Sequence, residues 1–219
     1  MQNRLAIKQN LLGRIEQLKS DRPAFDASPI IDLGLKRTDV RDIETLTANL
    51  EKFAPFPNPL SYATQLLNGA WQLEYSNARE IRSLKSLPLG FLVGKIYQII
   101  DTTTASFENK AWVEHKSGLL SGYVRITATF KPASITKEQL SQHKIEVDFK
   151  QRFIAITKII GLKSKLLDPV KVFEARNPEG RVPSLDITYV DETMRIGRGG
   201  DGSLFILTRV ADLKVAVIL

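Results

Sequence analysis

The sequence of 219 residues contains no cysteine, only two histidines and no long apolar run. Without cysteine there is no disulfide framework, no thiol nucleophile and no thiolate metal site, which is typical of proteins from a reducing compartment. No segment reaches the roughly 18 consecutive apolar residues that a membrane-spanning helix requires, and the first residues lack the apolar core of a secretory signal. The composition therefore predicts a soluble or peripherally bound protein.

Neither histidine lies in a pattern that suggests catalysis. His115 and His143 are surrounded by polar, loop-like residues, and the sequence has neither an H-E-x-x-H motif nor a G-x-S-x-G elbow. The acidic pair Asp191-Glu192 falls in a turn, where aspartate favours the turn geometry without an acid–base role. We therefore predict no enzyme activity, no metal site and no cofactor.

Basic residues outnumber acidic ones, and the net charge is +7, of which +6 lies from Gly69 onward. Such an excess suits nucleic acid, an anionic membrane surface or an acidic protein. The sequence has no basic block with interleaved aromatics of the ribonucleoprotein type, and a zinc finger is excluded without cysteine. A membrane surface is therefore the favoured partner, and nucleic acid is not expected.

Residues 1–68 are predicted to form an N-terminal helical lead-in to the rest of the chain. Apolar residues between Gln2 and Ser20 recur near helical spacing and predict one amphipathic helix. Packing on the body of the protein is favoured over a surface-seeking or partner-seeking arm, because both charge signs occur along it. A second helix is predicted to begin at Thr38 or Asp39, followed by a stiff proline-rich linker and a short helical turn over 60–68.

From Gly69 onward the period of the apolar residues changes from 3.6 to two. Alternation such as Trp71 to Tyr75 and Ile145 to Phe149 predicts strands with one solvent-facing side. Eight or nine antiparallel strands with short connections close into a barrel more economically than they leave edges exposed. The predicted fold is therefore mainly β: an antiparallel barrel over 69–219 that forms one cooperative unit with 1–68.

The pattern of residues 184–209 predicts a closing β-meander of three short strands. Gly197, Gly199 and Gly202 also fit the G-x-G-x-x-G pattern of dinucleotide-binding loops. That pattern requires a following helix and a further parallel strand, whereas residues 203–210 are β-rich. The turn interpretation is favoured, with the glycines providing positive φ angles in a tight hairpin.

Two connections, 79–94 and 154–167, combine apolar residues with cations, whereas most loops are polar. This combination suits a surface that dips into anionic headgroups or a lid over an apolar cavity, and coverage of the barrel ends is an equally weighted alternative. The residues predicted to dock on a membrane are Lys158, Ile159, Ile160, Lys163 and Lys165.

Three segments resemble the plastid lipid-associated protein family, whose members are also called fibrillins or plastoglobulins and include many cyanobacterial proteins. They are the stretch around Gly69-Ala-Trp71, the stretch 94–101, and, most specifically, 185–207 with its Asp191, Arg195 and Arg198. The resemblance spans 67–207. It implies a lipocalin-like barrel that associates with thylakoid or plastoglobule lipids and carries prenylquinones or carotenoids, without catalysis.

The resemblance also implies a location. Plant members carry a transit peptide, so a chain with this start is expected to be a cyanobacterial-type member on the cytoplasmic side of the thylakoid membrane or in the cytoplasm. A processed plant form is the alternative, and it would lie in the plastid stroma or on plastoglobules.

In lipocalin-like barrels the indole of a Gly-x-Trp opening packs near an arginine from the end of the sheet. Here Arg195, Arg198 or Arg209 is the expected partner of Trp71, and with Asp191 these residues are assigned to barrel closure or, as the less favoured alternative, to a ligand headgroup. The residues predicted to line a ligand site are Trp71, Tyr75, Val124, Ile126, Phe130, Val147 and Phe149.

Three functional hypotheses remain open from the sequence. The first is a carrier whose barrel holds a small hydrophobic molecule of the prenylquinone or carotenoid type at a thylakoid or lipid-droplet surface. The second is a side-chain-filled barrel that docks on a membrane without a ligand, since eight strands permit either interior. The third is an interaction module that binds an enzyme of isoprenoid metabolism through its N-terminal helices.

Overall fold

Strands dominate the chain from Gly69 onward in the computed structural model, which describes residues 2–136, 139–175 and 180–212. The last seven residues of the predicted domain 69–219 lie outside this description. The mainly β fold and the N-terminal helical segment predicted from the sequence are confirmed.

The helices precede the barrel or follow its first strand. Pro59 occupies the first turn of one of them, where its missing N–H costs no hydrogen bond. The predicted turn over 60–68 is a pair of short helices. The helices are α1 (Gln2–Ser20), α2 (Arg37–Glu51), α3 (Pro59–Tyr62), α4 (Thr64–Leu67) and α5 (Arg79–Ser83), with 3₁₀ turns at Leu84–Ser86 and Pro88–Gly90.

The strands of the described residues are β1 (Ile30–Ile31), β2 (Gly69–Ser76), β3 (Phe91–Asp101), β4 (Ser106–His115), β5 (Leu120–Ser134), β6 (Leu140–Ile159), β7 (Leu162–Lys163), β8 (Lys171–Glu174), β9 (Ser184–Val190), β10 (Met194–Gly199) and β11 (Leu204–Arg209). Eight of them close the barrel in the order β2-β11-β10-β9-β6-β5-β4-β3, and β3 pairs back with β2. Outside this ring, β1 pairs with β2 in parallel, and β7 and β8 pair with β6.

The barrel has two different ends. At the floor, β2 begins, β11 ends and α4 covers the interior through Leu67. At the opposite end, which we call the loop end, β3 and β5 begin, β4 and β6 end, and β7 and β8 are added. Residues 154–159, predicted as part of a loop, continue β6 because they pair with β5 and extend that hairpin.

Two apolar cores lie on opposite faces of the sheet. The inner core lies inside the barrel and includes Trp71, Phe107 and Val147. The outer core lies between β2, β9, β10, β11 and the helices, with Leu11 and Ile15 of α1 fully buried in it. The helix therefore packs on the body of the protein, as the sequence predicted.

The glycines of the closing meander have different roles. Gly202 has a φ of 87° and provides the predicted positive-φ position in the turn before β11. Gly197 has no positive φ; a Cβ there would lie 3.1 Å from a methyl group of Leu185, so close side-chain packing explains it.

Candidate functional site

Trp71 lies at the floor between two arginines. The guanidinium carbon of Arg209 is 4.3 Å from the centroid of the indole ring, and that of Arg195 is 5.5 Å away. The indole nitrogen donates to the carbonyl of Leu67 at 2.9 Å. Arg209 donates to the carbonyls of Leu66 and Asn68, and it thereby holds the end of α4 against the barrel. The fully buried indole receives cations on its ring.

Arg195 is the more deeply placed of the two arginines, with 4% of its surface exposed. Burial, and then the neighbouring charge of Arg209, lowers the pKa of Arg195 to about 9, so the side chain remains protonated at neutral pH. Its Nη2 donates to Gln98 Oε1, and Gln98 in turn donates to Asn109 Oδ1 at 2.8 Å. Neither amide was predicted from the sequence as a site residue, because polar residues of alternating strands are expected to face water.

The predicted ligand-lining residues do not form one uniform set. Trp71 and Val147 belong to the inner core, with Phe130 and Phe149 packed against it. Val124 and Ile126 pair across the sheet with the inward-facing Ala111 and Asn109. They therefore face inward too, yet both are only partly buried.

Tyr75 is the exception among the lining residues, because it lies in the outer core against the helices. Ile206 pairs with Tyr75 and Leu207 pairs with Leu73, so Glu74 is an extra residue in β2. This β-bulge reverses the alternation expected from Trp71 and Leu73. The prediction that Tyr75 lines the interior is therefore corrected.

The loop end gathers exposed apolar side chains. Of the eighteen large apolar residues that are exposed in the described part of the chain, ten lie at or beside this end. Those in the β4–β5 turn and in β8 were not predicted from the sequence, since a β-rich pattern does not show which side chains are exposed. The ten are Leu89, Leu92, Leu119, Ile160, Leu162, Leu166, Leu167, Val170, Val172 and Phe173.

The predicted docking residues lie together at the tip of the loop end. Lys158 pairs with Lys163 and Ile159 with Leu162 across the turn Ile160-Gly161, and Lys165 follows directly. Residues 158–171 contain four lysines and one aspartate. That aspartate, Asp168, accepts a hydrogen bond from the hydroxyl of Tyr123. This end therefore presents cations beside apolar surface.

The other apolar-basic connection, 79–94, contributes both to the inner core and to the exposed rim. Ile81 and Leu84 pack against the inner core and cover it, as the alternative interpretation of these connections expected. Leu89 is 84% exposed at the rim of the loop end.

The matching protein-family model is PAP_fibrillin, which covers residues 24–208 of the chain. The chain belongs to this family. The resemblance seen in the sequence is thereby confirmed. No solved structure matches the chain at a significant level.

Two curated relatives of the fibrillin chain come from plants. It is 31% identical over 191 residues to the plastid-lipid-associated protein 6, chloroplastic, of Arabidopsis thaliana, covering 78% of this chain and 64% of that protein. It is also 31% identical over 208 residues to the chromoplast-specific carotenoid-associated protein of Cucumis sativus, covering 81% of this chain and 63% of that protein. The fibrillin chain thus spans less than two thirds of the length of these relatives.

Two of the charged residues that carry the family resemblance attach the helices to the barrel in this fibrillin. Asp191 forms an ion pair with Lys8 of α1 at 2.7 Å, and Arg198 bonds to Glu51 at 2.8 Å and Glu44 at 2.7 Å, both in α2. Burial raises the pKa of Asp191, but hydrogen bonds, chiefly from Lys8, more than offset this and leave it below its usual value. Arg198 therefore does not contact Trp71.

Both histidines lie away from the floor network. His115 contacts Ser117 in the β4–β5 turn, and His143 contacts Asp186 at 3.2 Å. Across residues 2–136, 139–175 and 180–212, no cluster of three potential metal ligands is present. Within the same ranges, none of the helices has both the length and the apolarity needed to cross a bilayer.

Proposed function

We propose that this fibrillin is a peripheral lipid-surface protein that docks through the loop end of its barrel, with no catalytic step. The observation that carries the proposal is the concentration of exposed apolar residues and lysines at that single end. Apolar side chains gain free energy by entering the acyl boundary, and lysines gain it beside anionic headgroups. The names of the relatives, a plastid-lipid-associated and a carotenoid-associated protein, support this function.

The turn at the tip supports insertion of its apolar side chain. Ile160 has a φ of 51° and precedes Gly161 with a φ of 76°, which is the two-residue hairpin geometry that favours Asn-Gly. A β-branched residue is strained there, and 72% of the Ile160 surface is exposed, so packing within the chain does not compensate for the strain. Insertion into a lipid surface would provide the missing compensation.

Reversing the charge of the tip is expected to abolish docking. The triple variant Lys158→Glu, Lys163→Glu and Lys165→Glu should bind anionic vesicles at least about 100-fold more weakly, because each lysine near such a surface contributes about 1 kcal/mol. Flotation of the protein with vesicles of phosphatidylglycerol and a neutral galactolipid measures this partition. Wild-type binding should also weaken as salt is raised.

The matched control carries the same charge change on the helical side. Lys36, Arg37 and Arg41 are exposed at the start of α2, and their replacement by glutamate should leave most of the binding intact. The variant Ile160→Asn tests the apolar contribution: it should relieve the strained turn, keep the fold and still weaken binding. If the tip triple floats as well as the control triple, the loop end is not the docking surface.

A second candidate function is the carrying of a small hydrophobic molecule of the prenylquinone or carotenoid type. Val124 and Ile126 favour it, because they face inward and are only partly buried, without joining the packed inner core. The purified chain is expected to yield a stoichiometric lipid on organic extraction and mass spectrometry, after incubation with prenylquinones and carotenoids. Recovery of no such lipid would contradict the carrier function while leaving docking unaffected.

The same proposal includes a location and a limit on partners. Docking is expected at a thylakoid or plastoglobule surface, in keeping with the chloroplast and chromoplast names of the relatives. A protein partner of the N-terminal helices would have to use their outward faces, because Leu11 and Ile15 are buried against the barrel.

A further inference from the structure

Arg195 is a buried cation without a counter-ion in the described part of the chain. No ion pair joins a described carboxylate to Arg195 or Arg209, and Arg195 Nε is buried without a hydrogen-bond partner. Burying an unpaired charge is strongly unfavourable, and proteins retain such groups mainly where a function requires them.

Closure of the floor does not account for Arg195. Arg209 lies closer to the ring of Trp71, at 4.3 Å against 5.5 Å, and it also fastens α4 through two carbonyls. Among the described residues, the guanidinium of Arg195 has one hydrogen-bond partner, the amide oxygen of Gln98. One arginine is thus sufficient as the structural partner of Trp71.

The amides beside Arg195 continue along the inner wall. Trp71 pairs with Gln98, Gln98 with Asn109, and Asn109 with Ile126, so all four face the interior. Gln98, Asn109 and Ile126 are only partly buried. The wall therefore runs around the barrel from a buried guanidinium, past two amides, to the partly buried Ile126, and Val124 lies two residues nearer the loop end on β5.

We propose that Arg195, with Gln98 and Asn109, binds the carboxylate headgroup of an amphipathic lipid whose chain lies along Ile126 and Val124. The inference rests on the proposed carrier function, but it assigns an acidic ligand class in place of the neutral prenylquinones and carotenoids. A guanidinium matches the two oxygens of a carboxylate in geometry and charge, whereas a neutral carbonyl leaves the charge uncompensated. Burial and the neighbouring charge of Arg209 lower the pKa of Arg195, and an anion bound beside the guanidinium would raise it again.

The test compares hexadecanoic acid with its methyl ester, both below their critical micelle concentrations, by calorimetric titration of the full chain. A hydrogen bond to a charged group in a buried site corresponds to about a 10- to 100-fold preference, so the acid should bind that much more tightly than the ester. Arg195→Gln should lower the affinity for the acid to that for the ester and leave the ester unchanged. Arg37→Gln, the same change at an exposed site on α2, should alter neither.

Thermal unfolding separates this role from a structural one. Ligand-free Arg195→Gln should melt at or above the wild-type Tm, since it removes an unpaired buried charge, and should lose the stabilisation by the acid. A lower Tm together with an unchanged preference for the acid would overturn the assignment. If Arg195→Gln does not fold, the variant Asn109→Leu replaces it. Asn109→Leu should reduce the preference for the acid over the ester by a smaller factor than Arg195→Gln would. An unchanged preference in Asn109→Leu would contradict the site.

The outcomes also separate the headgroup site from the carrier function. Equal affinity for acid and ester means that the carrier function stands and the headgroup assignment fails. Binding of neither means that the headgroup assignment fails, and the carrier function fails with it only if organic extraction also recovers no lipid. Vesicle flotation tests the loop end separately and is not affected.

Discussion

Replacement of Trp71 by alanine is expected to lower the free energy of unfolding by about 5 kcal/mol. The indole is fully buried in the inner core, and truncation of a core tryptophan costs about 3–5 kcal/mol. The variant also removes the ring beside Arg195 and Arg209 and the hydrogen bond to Leu67, each of which adds to the loss. Urea unfolding, followed by circular dichroism, measures the change.

Trp112 provides the matched control, because it is the other tryptophan and lies on the outer face of the barrel. Its ring contacts Lys110 Nζ at 4.2 Å and the ring of Tyr123, and its side chain is only partly buried. Trp112→Ala should therefore cost less than half as much as Trp71→Ala. Equal losses from the two variants would show that the floor is not the structural centre of the barrel.

The sequence predicts the architecture well, because alternation of apolar and polar residues is a local property. Strands, helices and the meander over 184–209 follow from patterns of a few residues, and the structure has them near the predicted bounds. Bulges are different, because they depend on the partner strand. The extra residue Glu74 has no local signal, and it is the reason that Tyr75 faces the helices and not the interior.

The candidate site is predicted only in part, for a related reason. The lysines and apolar residues of 158–165 carry a compositional signal, so the sequence alone singles out this segment as a candidate docking surface, and the structure places it at the tip of the loop end. Gln98 and Asn109 carry none: each is a polar residue between apolar ones, and only the pairing of β2, β3 and β4 shows that both face inward. Similarly, Arg195 and Arg209 are equivalent in sequence, and burial distinguishes them.

Asp191→Ala is expected to cost about 3–5 kcal/mol, because it breaks a buried ion pair and leaves several donors unpaired. The carboxylate accepts hydrogen bonds from Lys8, from the Tyr189 hydroxyl at 2.6 Å, and from the backbone N–H groups of Thr193 and Met194. Urea unfolding at pH 7 measures the loss. Asp201→Ala is the control: Asp201 accepts from the N–H of Ser203 in the neighbouring turn but is more exposed, so about 1 kcal/mol is expected.

The cost of Asp191→Ala should depend on pH in a defined direction. The pKa of Asp191 is lower in the folded chain than the value of about 3.9 for an unfolded aspartate, so its stabilisation is complete above that value and is lost as pH falls through the folded pKa. The difference between wild type and variant should therefore be largest near pH 7 and shrink near pH 3. A difference that stays constant with pH would mean that the charge of Asp191 does not contribute.

Urea unfolding of Asp191→Ala at pH 7 also tests whether the helices and the barrel unfold together. Asp191 belongs to the barrel and Lys8 to α1, and the outer core that they border is shared by both parts. If 1–68 and 69–219 form one cooperative unit, Asp191→Ala shifts a single transition, seen equally by circular dichroism and by tryptophan fluorescence. Two transitions, with only the first shifted, would instead mean that α1 detaches before the barrel unfolds. The ion pair between Asp191 and Lys8 would then stabilise the docking of α1 and not the barrel itself.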